Sequence, residues 1–231
     1  MGQFIELTAT DGGAFRGYLS LPASGRGPGV VVEQEIFGIN ANVRETCDMF
    51  AREGFVALAP DLFWRMELNV DLGYTEADWK RAFDFFGRFN VDKGIEDCQA
   101  AISALRKRSE CTGKVGAVGY CLGGKLAYLS ATRTHVDAAV GYYGVGVEAV
   151  LGEKGAIKRP LMLHFAEKDK FVPMAAIEQV KAGLSGIKDV EVFSYPNVDH
   201  AFARFNGDHY DDAAAKLANG RTLSLFRKTL G

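Results

Sequence analysis

Cysteine and histidine are both scarce in this chain of 231 residues, which contains four of each. No two cysteines form a C-x-x-C pair, and no two histidines form an H-E-x-x-H motif. Their spacing therefore predicts neither a disulfide framework nor a zinc site. We expect the protein to work without a metal and without a cofactor.

The chain also lacks a long apolar run and an excess of charge of either sign. No stretch approaches the roughly 18 apolar residues of a membrane span, and the first residues do not combine a basic with an apolar segment. The 27 basic and 29 acidic residues give a formal net charge of −2, which disfavours nucleic acid and anionic membranes as partners. We expect a cytoplasmic protein that acts on a small molecule.

Eight short apolar segments have the composition of β-strands, namely FIELT, FRGYLS, GVVVEQ, FVALAP, KVGAVGY, DAAVGYY, LMLHF and VEVFSY. Helical periodicity is found in GIEDCQAAISALRKR and over residues 41–53, 122–132, 173–184 and 210–228. Strands and helices that alternate in this way need crossover connections, which favour a mostly parallel sheet with helices on both faces. We predict a single α/β domain over residues 1–231, with residues 64–78 as an insertion or a flap over a site.

The most informative motif is a G-x-C-x-G turn, in which Cys121 stands between Gly119 and Gly123 where a strand runs into a helix. In the related G-x-S-x-G turn the nucleophile sits on a tight bend, and glycine is needed on either side because a Cβ would collide with the backbone. The helix N-terminus favours a thiolate. We predict Cys121 as the nucleophile, although a small buried core cysteine is the alternative; the other cysteines, Cys47, Cys98 and Cys111, lack this context.

A base and a residue that orients it are expected downstream, in the order nucleophile, acid, histidine. Asp169 follows the strand LMLHF, and His200 lies in the loop after VEVFSY, so both belong to the sheet edge that carries the turn. We predict Asp169 as the orienting acid, with Glu167 as its competitor, and His200 as the base. The remaining histidines are interpreted as core or surface residues: His135, His164, and His209 at the start of the last helix.

The segments GYCLGG, EIFGIN, AEKDKFVP and DHAFAR resemble those of the dienelactone hydrolase family. The resemblance covers nearly the whole chain, and a cysteine in the turn is its most specific part. It implies the α/β-hydrolase fold and the hydrolysis of a lactone or small ester through an acyl-thioester on Cys121.

The resemblance also implies roles for residues around the nucleophile. Glu35 corresponds to a buried carboxylate that contacts the resting thiol, with Glu33 as the alternative, and the backbone N–H groups of Ile36 and Leu122 correspond to the oxyanion hole. A carboxylate beside the thiol would raise the thiol pKa by charge repulsion and keep it from oxidation.

Arg204, in DHAFAR, corresponds to a position that holds a carboxylate of the substrate. The chain departs from the family at the other half of this clamp, because Trp79 and Phe83 stand where well-known members have an arginine and a tyrosine. Lys80 and Arg81 lie near by but would point elsewhere on a helix. We therefore expect a more apolar pocket and a substrate that differs from dienelactone.

The sequence also allows three other interpretations. Residues 144–149, GVGVEA, fit a dinucleotide-binding fingerprint, but the glycines and proline that follow leave too little room for its helix. A non-catalytic thiol redox sensor on the same fold is a second interpretation, but a sensor does not need the histidine and the acid that follow the cysteine in catalytic order. A broader esterase or thioesterase is the closest alternative.

Overall fold

The computed structural model describes residues 2–231 and contains one eight-stranded sheet. Its strands are β1 (Gln3–Thr8), β2 (Ala14–Ser20), β3 (Gly27–Glu33), β4 (Val56–Pro60), β5 (Cys111–Tyr120), β6 (Ala138–Tyr142), β7 (Leu161–Ala166) and β8 (Val190–Tyr195). Its helices are α1 (Ala41–Arg52), α2 (Glu76–Arg88), α3 (Val91–Lys107), α4 (Leu122–Arg133), α5 (Met174–Leu184) and α6 (Asp212–Leu230). All eight predicted strands are confirmed.

The sheet is mostly parallel, as predicted. The strand order is β1-β2-β4-β3-β5-β6-β7-β8, in which β1, β2 and β4 pair antiparallel and all neighbours from β4 to β8 pair parallel. The carboxyl ends of β5, β7 and β8 therefore meet at one edge, which we call the catalytic edge because the predicted site residues follow these strands.

Helices cover both faces of the sheet. Helices α1 and α6 lie on one face, where Phe50 and Phe226 have ring centroids 6.1 Å apart. Helices α3, α4 and α5 lie on the other. Because both faces are covered, every residue of β7 is buried, which explains why its sequence is apolar apart from His164.

Helix α2 was absent from the helices predicted by periodicity, and it begins inside the segment expected to be irregular. A capping box fixes its start: the Thr75 hydroxyl accepts from the Asp78 N–H at 3.2 Å, and the Asp78 carboxylate accepts from the Thr75 N–H at 3.1 Å. The helix buries Ala82 and Phe85, while Phe83 is 46% exposed. Its aromatic residues are therefore not confined to the face that packs on the core, and an apolar periodicity does not reveal the helix.

Two further boundaries differ from the prediction or sharpen it. Helix α6 begins at Asp212, with Asp211 as its N-cap, so His209 precedes the helix and does not start it. A short 3-10 helix, Glu148–Ala156, follows β6 in place of the full helix that a dinucleotide site needs. Among residues 2–231, no helix is both long enough and apolar enough to cross a bilayer.

Candidate active site

Cys121 occupies a strained turn between β5 and α4. Its backbone has φ 57° and ψ −111°, in a region that residues other than glycine rarely adopt. A Cβ on Gly119 would overlap the carbonyl oxygen of Gly123, and a Cβ on Gly123 would overlap the carbonyl oxygen of Glu33. The prediction that both flanking positions require glycine is confirmed by these contacts.

Two backbone N–H groups next to the turn are free. Neither the Ile36 N–H nor the Leu122 N–H has a hydrogen-bond partner within residues 2–231. Leu122 is the first residue of α4, and the Gly123 N–H donates to the Gln34 carbonyl at 3.0 Å, which ties the loop after β3 to the start of this helix. This hydrogen bond holds the two unpaired N–H donors beside the cysteine, and paired donors of this kind can stabilise an oxyanion.

Asp169 and His200 are hydrogen-bonded at the catalytic edge. The distance from Asp169 Oδ2 to His200 Nδ1 is 2.7 Å, and both residues are buried. The other carboxylate oxygen of Asp169 accepts from the N–H groups of Phe171 and Val172 at 2.7 and 3.1 Å, so the carboxylate is held on both sides. Its competitor Glu167 accepts from the Ser194 hydroxyl instead.

His200 is surrounded by negative charge. Burial disfavours its protonated form, but the charges of Cys121 and Asp169, with the hydrogen bond to Asp169, outweigh burial and raise the pKa of His200 to about 10. This environment favours the imidazolium form of His200.

Glu35 and Arg204 form a buried ion pair. Arg204 Nε donates to Glu35 Oε2 at 2.9 Å, while Glu35 Oε1 is buried without a partner among residues 2–231. Arg204 is 9% exposed, and its guanidinium carbon lies 4.8 Å from the ring centroid of Tyr74 and 5.4 Å from that of Phe37. It is therefore not a solvated surface arginine.

Neither of the two candidate glutamates is hydrogen-bonded to Cys121 in the structure. Glu33 is fully buried, and its Oε1 accepts from the hydroxyl of Ser130 in α4 at 2.7 Å. Burial raises the pKa of Glu33 to about 7, although hydrogen bonds from Ser130 and Cys98 oppose the shift. The hydrogen-bonded partner of Glu35 is Arg204, which occupies Oε2 and leaves Oε1 without a partner among residues 2–231.

Cys121, His200 and Arg204 open into a common pocket of about 360 Å³, part of which is open to solvent. Every other side chain that lines this pocket is apolar: five are aromatic and two aliphatic, namely Phe37, Trp79, Phe83, Phe86 and Phe171 with Ile36 and Val145. The structure thus brings the predicted pocket residues Trp79 and Phe83 to the same cavity as Cys121.

Lys80 and Arg81 do not line this pocket. Arg81 pairs with Glu67 at 2.7 Å on the exposed side of α2. Neither residue therefore supplies a second cation beside Arg204.

Comparison with known proteins identifies the family. The dienelactone hydrolase family model matches residues 15–230. The chain belongs to the dienelactone hydrolase family. It is 44% identical to a putative carboxymethylenebutenolidase from Azospirillum brasilense, over 98% of this chain and 99% of the relative.

Other members of the dienelactone hydrolase family agree in sequence and in fold. Carboxymethylenebutenolidase 1 of Cupriavidus pinatubonensis is 38% identical over 96% of this chain and 95% of its own. A crystal structure of a putative dienelactone hydrolase from Klebsiella pneumoniae superposes with a TM-score of 0.84 at 25% identity, covering 99% of each chain. The protein is a hydrolase with the α/β-hydrolase fold, as the resemblance predicted.

Sequence reasoning missed two aromatic residues that touch His200 in this dienelactone hydrolase family member. The Phe171 ring lies 4.9 Å from the imidazole, and the Tyr143 ring lies at the same 4.9 Å on another side. Tyr143 has φ 39°, and its buried hydroxyl has no partner within residues 2–231. Phe171 could have been found as a large apolar residue two positions after Asp169 in a loop, but nothing in GYYG distinguishes Tyr143.

The three other histidines occupy different environments. His135 is exposed and contacts Gln99, and His164 is buried with burial and the charge of Arg221 lowering its pKa to about 3. His209 Nδ1 lies 3.0 Å from the carbonyl oxygen of His200. The first two match their interpretation as surface and core, whereas His209 contacts the backbone of the site.

Proposed function

We propose that the protein hydrolyses a lactone or small ester through a Cys121–His200–Asp169 triad and an acyl-thioester intermediate. The observation that carries this proposal is the combination of a cysteine in a strained strand-to-helix turn with a buried histidine–aspartate pair at 2.7 Å. We take residues 1–231 as one domain, which is supported by a single sheet that includes strands from Gln3 to Tyr195.

In the first step the Cys121 thiolate attacks the carbonyl carbon of the substrate, and the carbonyl oxygen becomes an oxyanion. The free N–H groups of Ile36 and Leu122 are proposed to stabilise that charge, which in other enzymes is worth about 10²–10³ in rate per donor. The bond between the carbonyl carbon and the ester oxygen then breaks, and the leaving alkoxide takes the proton of His200.

In the second step neutral His200 removes a proton from a water molecule, which attacks the thioester carbonyl. The carbon–sulfur bond breaks, the acid product and the thiolate are released, and His200 keeps the proton taken from water, which restores the starting state. Asp169 orients the imidazole through its hydrogen bond to Nδ1, so Nε2 remains available for both transfers.

Arg204 is proposed to bind a carboxylate on the substrate. Glu35 occupies only its Nε, and the terminal guanidinium nitrogens have no partner among the described residues, so they can donate to a ligand in the pocket. A neutral ester would leave these donors to water. We therefore place carboxylate-bearing lactones and esters first, with a broader esterase as the alternative that the apolar pocket wall favours.

The test measures initial rates on cis- and trans-dienelactone and on p-nitrophenyl acetate, for wild type and for Cys121→Ala. We expect Cys121→Ala to lose at least about 10³-fold in turnover on every substrate that wild type cleaves. Cys111→Ala is the matched control, since Cys111 lies at the opposite end of β5, and it should keep wild-type rates.

Near-wild-type rates in Cys121→Ala would overturn the mechanism. Cys121-dependent cleavage of p-nitrophenyl acetate with slow dienelactone turnover would identify the broader esterase. Mass spectrometry of protein quenched during p-nitrophenyl acetate turnover should show one added acetyl group on Cys121, and acetyl on any other residue would contradict the thioester.

A further inference from the structure

Four aromatic side chains form a continuous wall along one side of the pocket, and we call it the aromatic belt: Phe37, Trp79, Phe83 and Phe171. Successive ring centroids are 4.8 Å apart from Phe37 to Trp79, 5.6 Å from Trp79 to Phe83 and 6.3 Å from Phe83 to Phe171. The last ring lies against His200 at 4.9 Å. The belt therefore runs from the loop that carries the Ile36 N–H, across helix α2, to the predicted base.

The outer half of the belt is open to solvent. Phe83 and Phe171 are each 46% exposed, although they come from different parts of the chain and meet over the pocket. Contact between such exposed rings and a flat apolar group of a ligand lowers the free energy of binding, because it buries apolar surface and allows the rings to stack.

Positive charge in the pocket is limited to one residue apart from histidine. Arg204 is the only lysine or arginine that lines this pocket or the adjoining one, which Asp208 and His209 also line. A second anionic group on the ligand would lie against apolar rings or near the carboxylates of Glu35 and Asp208 without a partner, which is strongly unfavourable.

From this arrangement we infer that the substrate is a monoanionic ester or lactone that, unlike dienelactone, carries an aromatic ring next to the scissile bond. The carboxylate binds Arg204, and the aromatic ring lies against the aromatic belt. This inference rests on the proposed hydrolytic function and names its substrate class. It assigns Phe171 as a further residue that determines specificity, in addition to the predicted pocket residues Trp79 and Phe83.

The first test compares two six-membered lactones, dihydrocoumarin and δ-valerolactone, which differ by a fused benzene ring. The variant is Phe83→Ala, because Phe83 is half exposed on a helix where alanine is a good helix former. We expect the ratio of kcat/KM for dihydrocoumarin over δ-valerolactone to fall by about tenfold in the variant, since only the first substrate covers the belt.

Phe4→Ala is the matched control, because Phe4 is 43% exposed on β1 and does not line the pocket. It should leave the ratio unchanged. An unchanged ratio in Phe83→Ala, whether both rates stay the same or fall equally, would overturn the assignment of the belt as a specificity surface.

The second test needs no turnover. Isothermal titration calorimetry of the wild-type protein compares three ligands: hydrocinnamate, which has a ring and a carboxylate, propanoate, which has only the carboxylate, and hydrocinnamide, which has only the ring. We expect hydrocinnamate to bind at least about tenfold more tightly than either partial ligand, and Phe83→Ala to remove most of the advantage over propanoate.

Equal affinity for hydrocinnamate and propanoate would overturn the role of the belt, and equal affinity for hydrocinnamate and hydrocinnamide would overturn the role of the anion. These outcomes are separate from failure of the proposed mechanism. If Cys121→Ala kept full activity, the mechanism would be wrong, while the binding comparison would still decide the substrate class.

Discussion

The catalytic edge and helix α2 face each other across the pocket, but they are built differently. At the edge, Cys121, Asp169 and His200 are each at most 8% exposed, and their backbone lies in turns fixed by hydrogen bonds. On α2, Trp79 is partly buried and Phe83 is 46% exposed. The edge depends on positions where one added atom collides with the backbone, whereas α2 presents side chains that can change while the helix persists.

This difference explains how one fold accommodates different substrates. The residues proposed to do chemistry follow parallel strands, so their positions are set by the sheet. The residues proposed to choose the substrate lie on a helix outside the sheet, where substitution costs little stability. Substitution of Trp79 or Phe83 can therefore alter the pocket without disturbing the turn.

The strongest test of the difference is Gly123→Ala. Because its Cβ would overlap the carbonyl oxygens of Glu33 and Gln34, we expect the free energy of unfolding to fall by about 3 kcal/mol or more, together with most of the activity. Urea denaturation and initial rates measure the two effects. A variant with wild-type stability would show that the edge is as tolerant as α2.

Asp169→Asn should affect the rate and not the fold. The amide keeps an oxygen for the N–H groups of Phe171 and Val172 but removes the charge beside His200, so we expect kcat to fall by about 10²–10⁴-fold. The control is Glu167→Gln, which should stay within about twofold of wild type because Glu167 bonds Ser194. A larger loss in the control would make Glu167 the orienting acid.

The buried edge should also make stability sensitive to acid through His164. Its pKa is lowered from 6.5 to about 3 in the folded protein, so between these pH values the unfolded chain binds a proton that the folded chain does not. The free energy of unfolding should therefore fall as the pH falls through this window, by up to about 1.4 kcal/mol per pH unit.

Urea denaturation at several pH values measures this slope. His164→Gln, which cannot titrate, should show a shallower dependence on pH, whereas His135→Gln should keep the wild-type slope because His135 is exposed. Identical slopes in wild type and His164→Gln would show that His164 is not the source of the acid sensitivity.

The smallest expected effect is an increase in stability from a substitution in α2. Gly87 lies inside this helix, and a Cβ there would meet nothing within 4 Å, so Gly87→Ala should raise the free energy of unfolding by about 0.5–1 kcal/mol. A shift in the thermal midpoint measures it. Destabilisation by Gly87→Ala would show that α2 is as constrained as the catalytic edge.

Much of the molecule followed from local patterns. The eight strands, the mostly parallel sheet and the glycines beside Cys121 were predicted because each depends on a short stretch of sequence: an apolar run, an alternation of elements, or a bend without room for a Cβ. Helix α2 was missed because its aromatic residues are not confined to one face, although Thr75 and Asp78 carried its start signal.

What only the tertiary structure decided are the contacts between residues far apart in the chain. Glu35 and Arg204 are separated by 169 positions, so no periodicity could show that these two side chains are paired with each other. The contact between Phe83 and Phe171 at the pocket likewise joins residues far apart in the chain. The sequence determined where strands end and which reactive residues follow them, because these depend on neighbouring residues; packing of α2 and the loops against the sheet decided what those residues touch.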